Sequence, residues 1–386
     1  MDKARMGVIG CGGIGTLHIS YLPQVQGAEL TAVCDIDPKA LERAKARSGA
    51  AGFATHQELI DSGRVDAVIV SPPHYFHPEV MVYAFSKGIH VLSEKPVGVH
   101  VKHALWMNQT AAAHPQLVFG VMFQSRGDPA NRKAKALIDS GEMGQMLRIT
   151  CVQTRHYRTQ SYYDSGGWRA TWAGEGGGTL INQCPHALDI FTWLGGRPKR
   201  VTAVCKLGLR HNIEVEDEVA AILEYENGAL GQFISSTGEA PGSSLFEIAF
   251  DRGLLTVRDK GLEFRRNCTP VLEHLKHSPE RFAKPETWKI DVPLPKPYPG
   301  EPHQAITQNF VNAILKGEVL IAPGVEGIYG LELGNAILLS GLKGKPVDLP
   351  LDPDEMEALI TQLCKKSTYV KSKTVEIRDD VAASFR

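Results

Sequence analysis

The feature that most constrains this chain is a glycine-rich turn, Gly10-Cys11-Gly12-Gly13-Ile14-Gly15, set between a first apolar run and a helix-forming stretch. Glycines at this spacing permit a tight strand-to-helix turn. They also let backbone N–H groups and the positive end of the helix approach a pyrophosphate. Around the turn, short runs apolar on both faces recur at Met6–Gly10, Leu30–Cys34, Asp66–Val70, Ile89–Leu92 and Leu117–Met122, with helical stretches such as His77–Lys87 between them. Buried parallel strands read this way, so residues 1–123 are expected to form a doubly wound α/β dinucleotide-binding domain.

From about residue 147 the pattern changes to consecutive strands: Leu147–Arg155, Arg200–Leu209, Glu218–Tyr225, Ala229–Ser235, Leu245–Phe250 and Thr287–Val292. Leu147, Ile149 and Cys151 alternate with polar neighbours, as in a sheet covered on one face. Residues 124–350 are therefore expected to form an α+β domain with a large, open, mainly antiparallel sheet and helices at His303–Lys316 and Glu326–Leu342. Residues 351–386 read as a charged tail, either an arm on a neighbouring subunit or a loosely held terminus.

The 42 Lys and Arg against 43 Asp and Glu leave a net charge of -1. That argues against nucleic acid or an anionic membrane surface as partner, and toward a small, neutral molecule. Seven widely spaced cysteines with no zinc-like cluster read as reduced thiols of a cytoplasmic protein without structural metal. No leader or membrane-length apolar run is apparent.

Three motifs carry the chemistry. Asp35 ends the second strand 20 residues after Gly15, where a carboxylate accepts from ribose hydroxyls. With Asp37 beside it NAD is favoured over NADP, Lys39 being the argument for NADP. Lys95, in Glu94-Lys95-Pro96, follows the fourth strand at the ligand-binding end of such a sheet. There it is either a proton-transfer group or a surface lysine beside a stiffened turn. His186 follows Pro185 in the first turn of a helix, where the dipole disfavours imidazolium. It is either a base oriented by Asp189 or a structural histidine.

Taken together, the GxGGxG turn, Glu94-Lys95-Pro96 and the run Gly176-Gly177-Gly178-Thr179-Leu180-Ile181-Asn182-Gln183-Cys184-Pro185-His186-Ala187-Leu188-Asp189 resemble the Gfo/Idh/MocA family of NAD(P)-dependent sugar and polyol oxidoreductases. The resemblance reaches about Pro350. It implies catalytic roles for Lys95 and His186, either of which could be the base. It also implies cofactor contacts at Gly10, Gly12, Gly13, Ile14, Asp35, Ser71, Pro72, His77, Glu94, Lys95, Gln124, Trp168 and Arg169. Where the family carries Asp one turn before the histidine, this chain has Asn182. That resembles the Asn-Gln subgroup, with levoglucosan dehydrogenases and glycoside 3-dehydrogenases nearest in motif.

Residues 155–172 contain five aromatics, Tyr157, Tyr162, Tyr163, Trp168 and Trp172, which suit the apolar C–H faces of a sugar or pack a long loop. The expected substrate contacts are Lys95, Arg155, Tyr157, Tyr163, Asn182, His186 and His303. The implied reaction is oxidation of a ring hydroxyl, at carbon 3, of a pyranose, glycoside or anhydrosugar, with hydride passing to NAD. Two alternatives stay open: a redox-neutral NAD-dependent glycosidase and a dinucleotide- or sugar-sensing regulator. A homo-oligomer, dimer or tetramer, is expected through the exposed sheet face.

Overall fold

The computed structural model describes residues 2–259 and 261–371. Six parallel strands, β1 (Ala4–Ile9), β2 (Ala28–Cys34), β3 (Ala51–Phe53), β4 (Ala67–Val70), β5 (His90–Ser93) and β6 (Phe119–Val121), form one sheet in the order β3-β2-β1-β4-β5-β6. The order reverses between β1 and β4, so a crevice opens at their carboxyl ends, where the glycine turn leaves β1. Met6, Val8, Val33 and Ile69 fill one face of the sheet; Ile9, Val68, Val70 and Val91 fill the other. Burying each such side chain stabilises the fold by about 1.5–3 kcal/mol. The three-residue strand β3 is too short to show a period and lay outside the sequence reading.

The helix Pro302–Lys316, expected within the second half, returns to this first sheet. Its Ile306, Phe310 and Val311 pack with Met6 and Val8, and Pro323 bridges to Gly120 of β6.

The second sheet has nine strands: β7 (Met146–Gln153), β8 (Arg200–Leu207), β9 (Glu216–Glu224), β10 (Leu230–Ser236), β11 (Ser244–Phe250), β12 (Gly253–Arg258), β13 (Gly261–Asn267), β14 (Thr287–Ile290) and β15 (Val347–Asp348). Their order is β14-β13-β12-β11-β7-β10-β9-β8-β15. Every pairing is antiparallel except β7 with β10. The hairpin of β12 and β13 was not anticipated, because Arg258, Glu263, Arg265 and Arg266 break the apolar alternation. The helices Pro185–Gly195 and Gly327–Lys343 cover the inner face, with Phe191, Phe233, Leu223 and Ile337 at the core. The outer face leaves Val204, Ile222, Leu230 and Ile234 exposed.

The loosely held tail is corrected in part. Pro353–Lys366 is a helix capped by Asp352, which accepts from the Asp354 N–H. Met356 and Ile360 are buried, and Lys102 bonds Asp354 at 2.8 Å and Glu357 at 2.7 Å. The i, i+4 spacing of Met356 and Ile360 was the available signal. The remainder of the tail, 372–386, lies outside the described residues. All seven cysteines are free thiols, and no described helix is long and apolar enough to cross a membrane.

Candidate active site

The glycine turn is built by close approach. A Cβ at Gly15 would fall 1.8 Å from the Gly10 carbonyl oxygen. Ser71 Oγ donates to the carbonyls of Ile9 at 3.0 Å and Gly10 at 2.8 Å, so Ser71 and Pro72 buttress the turn from the end of β4. The helix Gly13–Tyr21 starts without a side-chain cap, which leaves its first N–H groups available to an anion. Asp35 accepts from the Cys11 N–H at 2.7 Å and the Asp37 N–H at 2.8 Å. Asp37 instead caps its own helix through Lys39 N, so of the two carboxylates only Asp35 faces the turn.

His77 has both ring nitrogens against backbone carbonyls, of Pro72 at 2.8 Å and Pro96 at 2.7 Å. It staples the segment after β4 to the one after β5. Glu94 is buried on His18, Nε2 to Oε1 2.7 Å. Burial would raise its carboxyl, but the His18 hydrogen bond and the nearby charges of His303 and Lys95 bring it below the usual carboxylate range. Both residues are thus engaged with protein groups around the ends of β4 and β5.

Lys95 leaves the end of β5 and crosses to the second domain. Its Nζ donates to the Asn182 carbonyl at 2.9 Å and lies 3.5 Å from Asn182 Oδ1. Burial lowers the Lys95 pKa from the ordinary lysine value, Glu94 and Glu175 opposing that shift. Asn182 sits in a wide helical turn, Thr179–Gln183, closed by the Cys184 N–H donating to the Thr179 carbonyl at 2.8 Å. Such turns of five-residue reach recur at functional sites. Gly178 leads into it so closely past β9 that a Cβ would meet the Glu216 carbonyl oxygen at 2.0 Å. Glu216 accepts from the N–H groups of Gly178 and Leu180 at 3.0 Å, and its carboxyl is pushed up to about 7, mainly by burial.

His186 is the second residue of the helix that Pro185 opens, as expected. Both ring nitrogens are buried without a hydrogen-bond partner among the described residues, its ring 6.2 Å from that of Phe123. Burial, then the charges of Lys95 and His303, hold it neutral, well below the ordinary imidazole value. The expectation that Asp189 orients His186 is corrected. Asp189 is fully buried and spends both oxygens on Arg126, Nε at 2.9 Å and Nη2 at 2.6 Å, and Arg126 also pairs with Glu326. His303 is buried with its ring 6.2 Å from that of His18, and its pKa is lowered to about 4, chiefly by burial. Gln124 Oε1 is buried without a hydrogen-bond partner among the described residues.

The residues of the aromatic segment differ in how they are placed. Tyr157 is 50% exposed and Arg155 is also exposed, and among the described residues neither side chain hydrogen-bonds Lys95, Asn182 or His186. Tyr163 is a packing residue whose hydroxyl donates to Thr237 Oγ1 at 2.8 Å. Its neighbour Tyr162 is the hub: its hydroxyl oxygen receives Arg169 Nη1 at 2.9 Å and Gln183 Nε2 at 2.8 Å, with Asn182 Nδ2 at 3.4 Å. Consecutive residues of the helix Gln160–Asp164 face directions about 100° apart, and composition does not say which faces inward. Trp168 packs edge-on to His74 at 5.5 Å, with the Arg169 guanidinium 4.7 Å from its ring. Glu175, which sequence reasoning missed, is buried. It accepts from Asn182 Nδ2 and, at 2.6 Å, from the Ala170 N–H. Its place inside the run Gly174–Gly178 was the only signal, a carboxylate where the backbone is tightest.

These parts fit a dinucleotide and a polyol. The turn and Asp35 can hold pyrophosphate and ribose, and Lys95, Asn182 and His186 converge beyond them with unpartnered imidazole nitrogens. Among the described residues no three His, Cys, Asp or Glu side chains form a metal-ligand set.

Comparison with known proteins agrees. The family model described as the oxidoreductase family, NAD-binding Rossmann fold, matches residues 4–122, and that of the GFO/IDH/MocA C-terminal domain matches residues 131–256. The chain is 25% identical over 365 residues to inositol 2-dehydrogenase of Corynebacterium glutamicum, spanning 92% of this chain and 99% of that protein. The WlbA dehydrogenase of Chromobacterium violaceum, solved with NADH and UDP-GlcNAcA, has a TM-score of 0.77 at 29% identity, covering 91% and 97% of the two chains. Levoglucosan dehydrogenase, solved with NADH, has a TM-score of 0.73 at 21% identity, covering 91% and 100%, a likeness of fold.

Proposed function

The chain belongs to the GFO/IDH/MocA family of oxidoreductases, with an NAD-binding Rossmann domain, and from that premise we propose that it oxidises a ring hydroxyl of a sugar. The substrate class is a pyranose, glycoside or anhydrosugar, with carbon 3 as the position. The observation that carries this reading is the meeting of Lys95 with Asn182 beside a neutral His186 whose ring nitrogens have no partner among the described residues.

NAD, when bound, supplies the hydride acceptor. Neutral His186 takes the proton of the substrate hydroxyl, since burial leaves its nitrogen free to accept. Lys95, anchored on the Asn182 carbonyl, donates to the same substrate oxygen as it becomes a carbonyl. Asn182 cannot take a proton, and its amide, fixed by Glu175 on one side and Lys95 on the other, positions rather than reacts. The WlbA relative, solved with NADH and UDP-GlcNAcA, supports a sugar-type substrate at this site. Curated relatives act on inositol, so inositols belong in the same test.

We also propose that a second copy covers the outer sheet face. Val204, Ala220 and Ile234 are paired across β8, β9 and β10 in one exposed row.

The experiment is a panel of pyranosides, anhydrosugars and inositols incubated with NAD or NADP and followed for reduced nicotinamide. NADH accumulation with a ring sugar supports the proposal. Release of free sugar from a glycoside with no NADH identifies the redox-neutral glycosidase instead.

A further inference from the structure

The loop that carries Tyr162 has little regular structure of its own. Between the end of β7 at Gln153 and the wide turn that begins at Thr179 it holds one helix, Gln160–Asp164. Ordering a stretch of that length costs conformational entropy that outside contacts must offset. Its position matters to the site, because the Tyr162 hydroxyl receives Arg169, Gln183 and Asn182, and Glu175 receives Asn182.

Several of the outside contacts come from the segment 367–371, which lies past Pro350, where the family resemblance stops. The helix before it, Pro353–Lys366, is fixed to the NAD-binding domain: Lys102 pairs with Asp354 and Glu357, and the Tyr75 hydroxyl lies 3.9 Å from Cys364 Sγ. The chain then crosses to the second domain. Ser367 Oγ donates to Glu214, whose other oxygen accepts from the Trp172 N–H at 2.9 Å. The Tyr369 hydroxyl donates to the Asn212 carbonyl at 2.8 Å, and the Asn212 N–H donates to Gln160 Oε1 at 2.8 Å.

Lys371 makes the most direct contact. Its Nζ donates to the carbonyls of Tyr163 and Gly166, each at 2.7 Å. These carbonyls bracket the end of the helix Gln160–Asp164, where helical carbonyls lack partners in their own turn. Burial lowers the Lys371 pKa from the ordinary lysine value, Glu175 opposing and Arg169 adding to the shift, which places the ammonium near both. A charged donor bonded to main chain fixes where the loop runs and leaves its side chains available to a ligand.

Resting on the sugar-dehydrogenase reading above, we infer that Lys371 is a positioning residue for the sugar: through the carbonyls of Tyr163 and Gly166 it holds the loop 155–176 in the form that binds substrate.

The full-length protein with NAD is assayed on methyl α-D-glucopyranoside, levoglucosan and myo-inositol, as wild type, K371M, K371R and S367A. Amide hydrogen exchange of the same four proteins is followed by mass spectrometry, and NADH affinity is measured alongside. K371M keeps the apolar stem and loses the donors. Its KM for the sugar that wild type uses should rise at least about tenfold with kcat within about threefold, the pattern of lost uniform binding. Amides of residues 159–176 should exchange at least about tenfold faster, while those of β1, β4 and β5 and the NADH affinity stay unchanged. K371R, which keeps donors, should recover most of the KM, and S367A should fall between wild type and K371M.

An unchanged KM in K371M overturns the inference and leaves the dehydrogenase reading standing, even if exchange quickens. A fall in kcat with KM unchanged overturns it as well, because Lys371 would then act on the reacting groups. A KM rise that K371R does not relieve, or one without faster exchange in the loop, overturns the anchoring through carbonyls. No NADH from any of the three compounds with wild type overturns the underlying reading and this inference with it.

Discussion

Lys95 Nζ donates to the backbone carbonyl of Asn182 at 2.9 Å. This bond joins the end of a parallel strand in the NAD-binding domain to the wide turn that precedes His186. Because the acceptor is main chain, replacing the Asn182 side chain leaves the bond possible, whereas removing the amine abolishes it.

Glu175 is expected to matter through Asn182. Its carboxylate holds the Asn182 amide with Oδ1 turned toward Lys95. Glu175→Gln should lower kcat by as much as about 100-fold through misplacement, and should shift the alkaline limb of the pH profile with it. An unchanged kcat and an unchanged limb would make Glu175 a packing group only.

The pH dependence has a definite sign. His186 is depressed from the ordinary value of 6.5, chiefly by burial, so it stays an unprotonated base as pH falls through that value. The acid limb of kcat/KM should lie below pH 6.5. Lys95 is depressed from 10.5, so loss of its proton should place an alkaline limb below 10.5. An acid limb at or above 6.5 would contradict the assignment of His186 as base.

Asp189→Ala is expected to be a stability variant. It leaves buried Arg126 with only the partly exposed Glu326 as counter-charge, and breaking the buried pair costs up to about 3–5 kcal/mol. Urea unfolding checks this, and a double replacement of Arg126 and Asp189 by apolar residues of similar volume should recover much of the loss. A single variant within about 1 kcal/mol of wild type would refute the pairing.

Asp35→Ala should weaken NAD and narrow its advantage over NADP, because we propose that the carboxylate that fixes the Cys11 N–H also accepts from the adenosine ribose. Dissociation constants for both dinucleotides test this, and an unmodified protein that prefers NADP would contradict it.

The parallel half of the fold was legible because buried strands and a glycine turn leave a local pattern in the chain. Lys95 and His186 were legible for a related reason: each sits next to a proline or a strand end that fixes its backbone. The rest was not local. Tyr162 and Tyr163 are identical in type and adjacent, and only the packed loop decides that one hydroxyl meets Arg169 while the other meets Thr237. Asp189 was on the correct helical face for His186, but Arg126, 63 residues earlier, takes it.

The most direct test is the rate of NADH formation by wild type, Lys95→Ala and His186→Ala on whichever sugar the panel identifies, with NADH affinity measured alongside. Wild type should form NADH, and each variant should be slower by at least about 100-fold while binding the cofactor with little change. Turnover near wild type in either variant would contradict the account.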